Sequence, residues 1–337
     1  MSRNVLKGLL GLGVGAALVF LVVNNLDWLE VRTAFSESQP IYLLPISVLL
    51  VFHYFFKALR WRVLLKDHVA IGPIFSYRLT MIGFLMNNVF PARMGELGRP
   101  YLLSANRPGV RFSFALATVV GDKLFDLLLV IVCLLVPAAF LEIPDFVRTG
   151  VLALSIAALT IAGGGVVASI WHQKDKNRPL EQRRLYRLAS RFGRLGLKGY
   201  DAAQGFIEGL STVSSLKRAS AAFVYSAISF GLLAVVVYLT VRMVNLDAGL
   251  LNCLFVIGMI GIGFMIPAPP TNAGTFHYFG AQALVLAGIA PMEQALVFAI
   301  IAHISQVAVV TVVGSISLIG LDWGQIRAIK DQGAGKA

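Results

Sequence analysis

MIGFLMNNVFPARMGELGR, residues 81–99, and MIGIGFMIPAPPTNAGTFHYFG, residues 259–280, decide how this chain is read. Both open on Met-Ile-Gly inside an apolar run. Both break at proline, the first at Pro91 and the second at Pro267, Pro269 and Pro270. Both place a glycine four residues beyond a proline, Gly95 after Pro91 and Gly274 after Pro270. Each then resumes with helical spacing. Proline lacks a backbone donor and biases the residue before it away from the helix, so a helix ends there. Two apolar segments interrupted by Gly and Pro at corresponding places in two halves are the sequence pointer to a transporter's substrate site.

The surrounding composition fits that reading. Of 337 residues, 57% are hydrophobic and only 14% charged, with a mean hydropathy of +0.78. A soluble chain carries about 25% charge. The apolar stretches are uniform and lack the alternation of a β-barrel. The expected fold is therefore an all-α integral membrane protein. The net charge of +12 reflects Lys and Arg in cytoplasmic loops beside anionic lipid, rather than nucleic-acid binding. Cys133 and Cys253 both fall in apolar segments and read as small hydrophobes, not as a disulfide or metal framework.

Outward from the two breaks, full spans are expected near 5–23, 41–56, 112–140, 150–171, 219–244 and 294–320. The first follows Arg3 and Lys7 but leads into Asn24-Asn25-Leu26-Asp27-Trp28 with no small-residue cleavage site, so it reads as a retained span. The second ends in Lys57, Arg60, Arg62 and Lys66, a cytoplasmic end by the positive-inside rule. Residues 172–218 form the one long polar loop, with eleven basic and four acidic residues. Leu185, Leu188, Phe192, Leu195, Ala202, Phe206 and Leu210 recur within it at helical steps. That is an amphipathic helix whose basic face, with Arg183, Arg184, Arg187 and Arg191, suits an anionic membrane surface.

The charges also bear on topology. If 74–90 crossed the membrane fully, the basic stretch Arg93, Arg99, Arg107 and Arg111 would lie outside, against the positive-inside rule. A re-entrant hairpin keeps it inside. The second break is then entered from outside. This predicts a single membrane domain over 1–337, made of about six full spans plus two re-entrant broken hairpins in an inverted repeat. Its halves are 1–171 and 219–337, joined by the 172–218 loop, with both termini and that loop cytoplasmic.

Three groups of residues could carry chemistry. Arg93, Glu96 and Arg99 fall within roughly a 120° arc if helical. They form either an interfacial salt-bridge face or a site for a phosphate headgroup, which the planar fork of Arg suits. Asp122, Lys123 and Asp126 lie ten residues into an apolar helix, where charges are expensive. The two aspartates share a face and need compensation, from Lys123 or from Arg93 or Arg99. They constitute a structural ion-pair network, a charge balance for substrate or a proton relay. His277 and Tyr278 follow the second break. His303 and Gln306 lie in the last span, where His303 reads as structural, and His53, His68 and His172 read as boundary residues. No HExxH, CxxC, P-loop or nucleophile elbow occurs in the sequence.

These motifs resemble a known family. NNVFPARMGELGR (87–99) followed by VVGDKLFDLLL (119–129) is similar to the transmembrane domain of lysylphosphatidylglycerol synthases, which also occurs alone in flippase-like proteins. PAPPTNAGTFHYFGAQALVLAGI (267–289) resembles its second signature and KALRWRVLL (57–65) its Arg-Trp element. Where many members carry Gly-x-x-Glu in the second signature, this chain has Gly274 followed by His277, so a role for that carboxylate does not carry over. In the two-domain synthases a soluble domain aminoacylates the lipid and the membrane part flips it. With Ala337 close behind the last span, the resemblance implies lipid movement rather than synthesis.

The expected function is a lipid flippase or transporter of the cell inner membrane, not an enzyme. It would act on a phosphate-bearing lipid, phospholipid or polyprenyl-linked, with no cofactor and no metal. Asn87, Asn88, Pro91, Arg93, Gly95, Glu96, Arg99, Pro269, Pro270, Asn272, Gly274, His277 and Tyr278 are the candidate substrate-binding residues. The partners expected are membrane lipids with anionic headgroups, with a second copy of the chain or lipid-biosynthesis enzymes beside them. Two other readings remain open: a membrane-embedded transferase for lipid-linked substrates, and a non-transporting scaffold.

Overall fold

A computed structural model describes residues 26–66, 68–90, 93–176, 215–266 and 269–319, with isolated positions between 190 and 209. The span expected at 5–23, Pro91, Pro267 and the loop residues Arg183, Arg184, Arg187 and Arg191 lie outside the described residues. Among the described residues the fold is helical, without strands. Its helices are α1 (Trp28–Ser36), α2 (Leu43–Leu65), α3 (Pro73–Val89), α4 (Gly95–Asn106), α5 (Phe112–Phe140), α6 (Asp145–Lys176), α7 (Leu216–Met243), α8 (Leu250–Gly263), α9 (Thr275–Leu286) and α10 (Met292–Leu318).

Among the described residues, four segments are long and apolar enough to cross a membrane: Pro40–Leu65, Phe112–Phe140, Leu216–Met243 and Met292–Leu318, of 26 to 29 residues. At 1.5 Å per residue each reaches about 40 Å, beyond the roughly 30 Å hydrocarbon core. The helices at the two breaks are shorter. α3 and α4 have 17 and 12 residues, α8 and α9 have 14 and 12. At the same rise they reach only about 18–26 Å. Sequence chemistry sets their ends. Pro73 starts α3, and Phe90, just before Pro91, leaves it in extended conformation. Gly274, at φ 87°, caps α9 from a backbone region that favours glycine.

The two breaks build alike. α3 packs on α4 and α8 on α9, so each break folds as a helical hairpin. The base of the first closes on itself, with the Arg107 guanidinium 5.2 Å from the Phe75 ring centroid. α5 packs on α8, across the halves, and α10 packs on α3 in the corresponding way. α2 and α7 form the most extensive pairing and run antiparallel. Gln39 donates to Met243 O at one end, His53 meets Ser229 midway and Arg60 meets Ser226 beyond it. The main core spans both halves and includes Cys133 and Cys253, both buried as free thiols.

One expectation is corrected. The span read as ending near Phe56 continues to Leu65, so Lys57, Arg60 and Arg62 ride within helix α2 instead of marking its exposed end. Arg60 is 0% exposed. The helix carries Lys57 and Arg60 because α5 supplies carboxylates beside them, and Arg62 donates from Nε to the Ile71 carbonyl at 2.8 Å.

Candidate functional site

Both hairpin tips turn with left-handed backbone among their described residues. Arg93 has φ 54°, and on the second tip Thr271 and Asn272 have φ 63° and 59°. The tips meet. Arg93 Nη2 lies 3.4 Å from Asn272 Oδ1, and its guanidinium is 5.8 Å from the centroid of the Phe264 ring. The first hairpin is held tightly behind its tip. Asn87 Oδ1 accepts from Gly95 N at 2.8 Å. Gly95 leaves so little room that a Cβ there would sit 1.7 Å from Gly83 O.

The charges of the first half then sort into two layers. The inner layer is a network buried between α2, α4 and α5. Asp122 accepts from Arg60 Nε at 2.6 Å and from Arg99 Nη2 at 2.9 Å. Asp126 Oδ1 accepts from Lys57 Nζ at 2.8 Å and Arg60 Nη1 at 2.9 Å. Arg60 Nη1 also donates to Ser226 Oγ on α7 at 3.1 Å. Arg99 stacks its guanidinium over Trp61, 4.4 Å from the ring centroid, and Trp61 Nε1 donates to Thr118 Oγ1 at 3.1 Å. The two aspartates on one helix face are thus neutralised by cations from other elements, as intramembrane carboxylates require. The outer layer is looser. Lys123 Nζ is 3.0 Å from Glu96 Oε1, and Arg93 Nη1 is 3.5 Å from the same oxygen. Lys57, Arg60, Arg93, Arg99 and Lys123 face Asp122, Asp126 and Glu96, so the two layers together keep a surplus of positive charge.

That surplus borders a cavity of about 870 Å³. Lys57, Asn87, Asn88, Arg93, Glu96, Lys123 and Asp126 form its polar wall. Most of the rest is apolar, with Leu127, Val130, Leu233, Val237, Ile260 and Val310 of α5, α7, α8 and α10 among the lining. On α5 the lining runs from Val120 to Val130, about 15 Å along the helix. The second tip contributes Thr271 and Asn272, and α10 contributes His303 and Gln306.

The expected site residues therefore divide. Asn87, Asn88, Arg93, Glu96 and Asn272 converge on the cavity, together with Lys123 and Asp126. Arg99 does not: it belongs to the buried network, and Lys123 reaches Glu96 instead of Asp126. Gly95, Pro269, Pro270 and Gly274 shape the tips without lining the cavity. His277 and Tyr278 stand on α9 behind the second tip. His277 Nε2 is 3.1 Å from His303 Nδ1, and it is His303, read as structural from the sequence, that faces the cavity. His53, read as a boundary residue, is buried and its Nδ1 lies 2.8 Å from Ser229 O. Lys57 and Arg60 were also missed as site residues. The four-residue spacing of Asp122 and Asp126 was their signal, because two carboxylates on one apolar helix face demand cations from a neighbour.

An all-helical, multi-pass membrane protein with a large amphipathic cavity is the class that this architecture defines. The chain belongs to the family described as the lysylphosphatidylglycerol synthase transmembrane region, which matches residues 8–314, a family of membrane proteins in lipid handling. Comparison with the curated proteins gives no match.

Proposed function

We propose that this chain is a flippase, moving a lipid with a phosphate headgroup across the cell inner membrane without converting it chemically. The observation that carries the reading is the cavity itself. Its apolar walls suit acyl or prenyl chains, and its polar wall holds surplus positive charge around an arginine that is only loosely paired. A phosphate entering there would gain charge-assisted hydrogen bonds from Arg93, with its bidentate fork, and from Lys123. Asn87, Asn88 and Asn272 offer neutral partners beside it.

The architecture supports alternating access around that site. The hairpin helices are too short to cross alone, and the exposed face of the first carries Val89, Phe90, Met94 and Leu97, which suits lipid contact within the bilayer. Helices α2, α3, α4 and α5 have the same neighbours as α7, α8, α9 and α10 in turn. The equivalent pair α2 and α7 is antiparallel, which favours an inverted over a direct repeat. We therefore read 1–171 and 219–337 as inverted halves with two re-entrant hairpins meeting near the midplane. Both termini and the 172–218 loop then lie in the cytoplasm, against anionic lipid.

The experiment is lipid movement in reconstituted vesicles, followed with a headgroup-labelled phospholipid, for wild type, Arg93→Lys and the swap Arg93→Glu, Glu96→Arg. Arg93→Lys keeps the charge but loses the fork, so transport falls despite normal expression. The swap places a carboxylate against the phosphate and abolishes it. Transport by the swap at the wild-type rate would mean that Arg93 and Glu96 serve only each other, and would overturn the headgroup site.

A further inference from the structure

We infer that the His277–His303 pair is a proton-binding site whose occupancy is linked to that of the lipid cavity, making the proton the coupling ion; this rests on the flippase reading above. The argument starts from the hydrogen bonds. His303 Nε2 lies 2.9 Å from Thr271 O, and a carbonyl oxygen can only accept, so His303 carries its proton on Nε2. In the neutral ring Nδ1 is then an acceptor. The 3.1 Å contact to His277 Nε2 is satisfied only if His277 donates from that nitrogen. His277 Nδ1 is left as a free lone pair, with no hydrogen bond among the described residues. A proton added there makes His277 an imidazolium that still donates to His303. The pair thus takes one proton without breaking a hydrogen bond, and a second would set two like charges on rings whose centroids are 4.7 Å apart.

The surroundings tie that proton to the cavity. His303 is part of the cavity wall and stacks on Phe276, with ring centroids 4.9 Å apart. Thr271 and Asn272 adjoin in the second tip, and Asn272 holds Arg93 of the first. No carboxylate bonds either imidazole among the described residues. Facing the pair across the cavity are Lys57 on α2, Arg93 and Glu96 at the first tip, and Lys123 and Asp126 on α5. His53 and Tyr54 line the same space from α2. Helix α8 brings no charged group, nor does the cavity-lining stretch of α7 from Phe230 to Thr240. On α3, Arg78 is engaged by the carbonyls of Ser317 and Ile319 at the far end of α10. Tyr278 of α9 neighbours His277, while Glu293 of α10 and Glu30 and Arg32 of α1, which packs on α10, are outside the cavity lining. Glu96 and Asp126 are already matched by cations, so a protonated pair adds to a positive surplus. An anionic headgroup removes that surplus. Lipid therefore favours the proton, and by reciprocity the proton favours lipid.

The test is the pH dependence of binding of a short-chain phosphatidylglycerol to the full protein in neutral detergent, with proton uptake followed in weak buffer. Wild type takes up protons as lipid binds. Its affinity falls as pH rises, by up to about tenfold per pH unit where uptake is complete. His277→Gln keeps a donor toward His303 but has no titrating nitrogen, and its dependence flattens to less than about twofold. Equal slopes in wild type and His277→Gln would put the proton on a group other than His277 and overturn the assignment. If the variant does not fold, NMR of ¹⁵N-labelled histidine in wild type decides: the His277 Nδ1 resonance should move from acceptor to N–H on lipid addition, and a fixed resonance overturns the inference. Lipid movement in vesicles without proton uptake removes the coupling and leaves the flippase standing. Absence of both lipid binding and lipid movement removes both.

Discussion

Gly95→Ala should damage this protein more than any other single methyl group added to the first hairpin. A Cβ at Gly95 would lie 1.7 Å from Gly83 O, 2.6 Å from Gly83 C and 2.7 Å from Asn87 Oδ1. Two of these atoms are backbone, so relief means moving α3 and α4 apart. Reaching even 3.0 Å from Gly83 O takes a separation of at least about 1.3 Å, and closely packed interiors do not absorb that without strain. Overpacking of this kind costs about 1–3 kcal/mol. The hydrogen bond from Gly95 N to Asn87 Oδ1 is lost as well, worth about 1 kcal/mol. The expected total is about 2–4 kcal/mol, together with a displaced Arg93 and Glu96. Gly98→Ala is the control one turn later. Its Cβ would meet Met86 Sδ at 2.3 Å and Cε at 2.7 Å, the far end of a flexible side chain that can rotate away, so the loss stays below about 1 kcal/mol. Thermal unfolding in detergent and lipid movement in vesicles measure both. A Gly95→Ala protein as stable and active as wild type, or a Gly98→Ala protein equally damaged, would refute the close-approach argument.

Two further predictions follow from the charge network and the topology. Arg60→Met leaves Asp122 with Arg99 alone and Asp126 with Lys57 alone, and should cost about 3–5 kcal/mol, seen as lost yield and a lower melting temperature, with part regained in Arg60→Met, Asp122→Asn; no recovery in the double variant would mean that Asp122 is not what Arg60 compensates. Arg107→Cys, with Cys133 and Cys253 replaced by Ala, should be labelled by an impermeant maleimide from the cytoplasmic side, and labelling only from outside would overturn the re-entrant hairpin.

How much of this was legible in the sequence depends on which physical signal each element carries. The long helices were legible because a bilayer demands long apolar stretches, and the hairpins because proline and glycine mark where backbone bonding stops. The end of α2 was misread for a related reason. Lys57 and Arg60 looked like an interface because charge usually marks one, and only the aspartates on α5, some sixty residues away, keep them buried. Three-residue and four-residue spacing places side chains on one helix, but it says nothing about which neighbour faces them. Arg93 and Arg99 were therefore grouped as one face, although Arg93 precedes the helix in a left-handed turn and Arg99 points into the network.

The same limit hid His303, and its position says something about the molecule. In each half, a polar residue near the middle of the long helix bonds a residue on the helix that follows the break: Asp122 with Arg99 in the first, His303 with His277 in the second. The packing of the halves corresponds, but the chemistry does not. The first pair is permanently charged, buried and cross-linked to Arg60, which suits a fixed frame beside the cavity. The second is neutral in its resting hydrogen-bond pattern, faces the cavity and holds the tip through the Thr271 carbonyl. In the flippase cycle proposed above, one side of the site stays still while the other changes state. The buried carboxylates of the first half are already matched by cations and stay fixed, whereas one added proton alters the second pair. In that proposed cycle the second hairpin is the moving part.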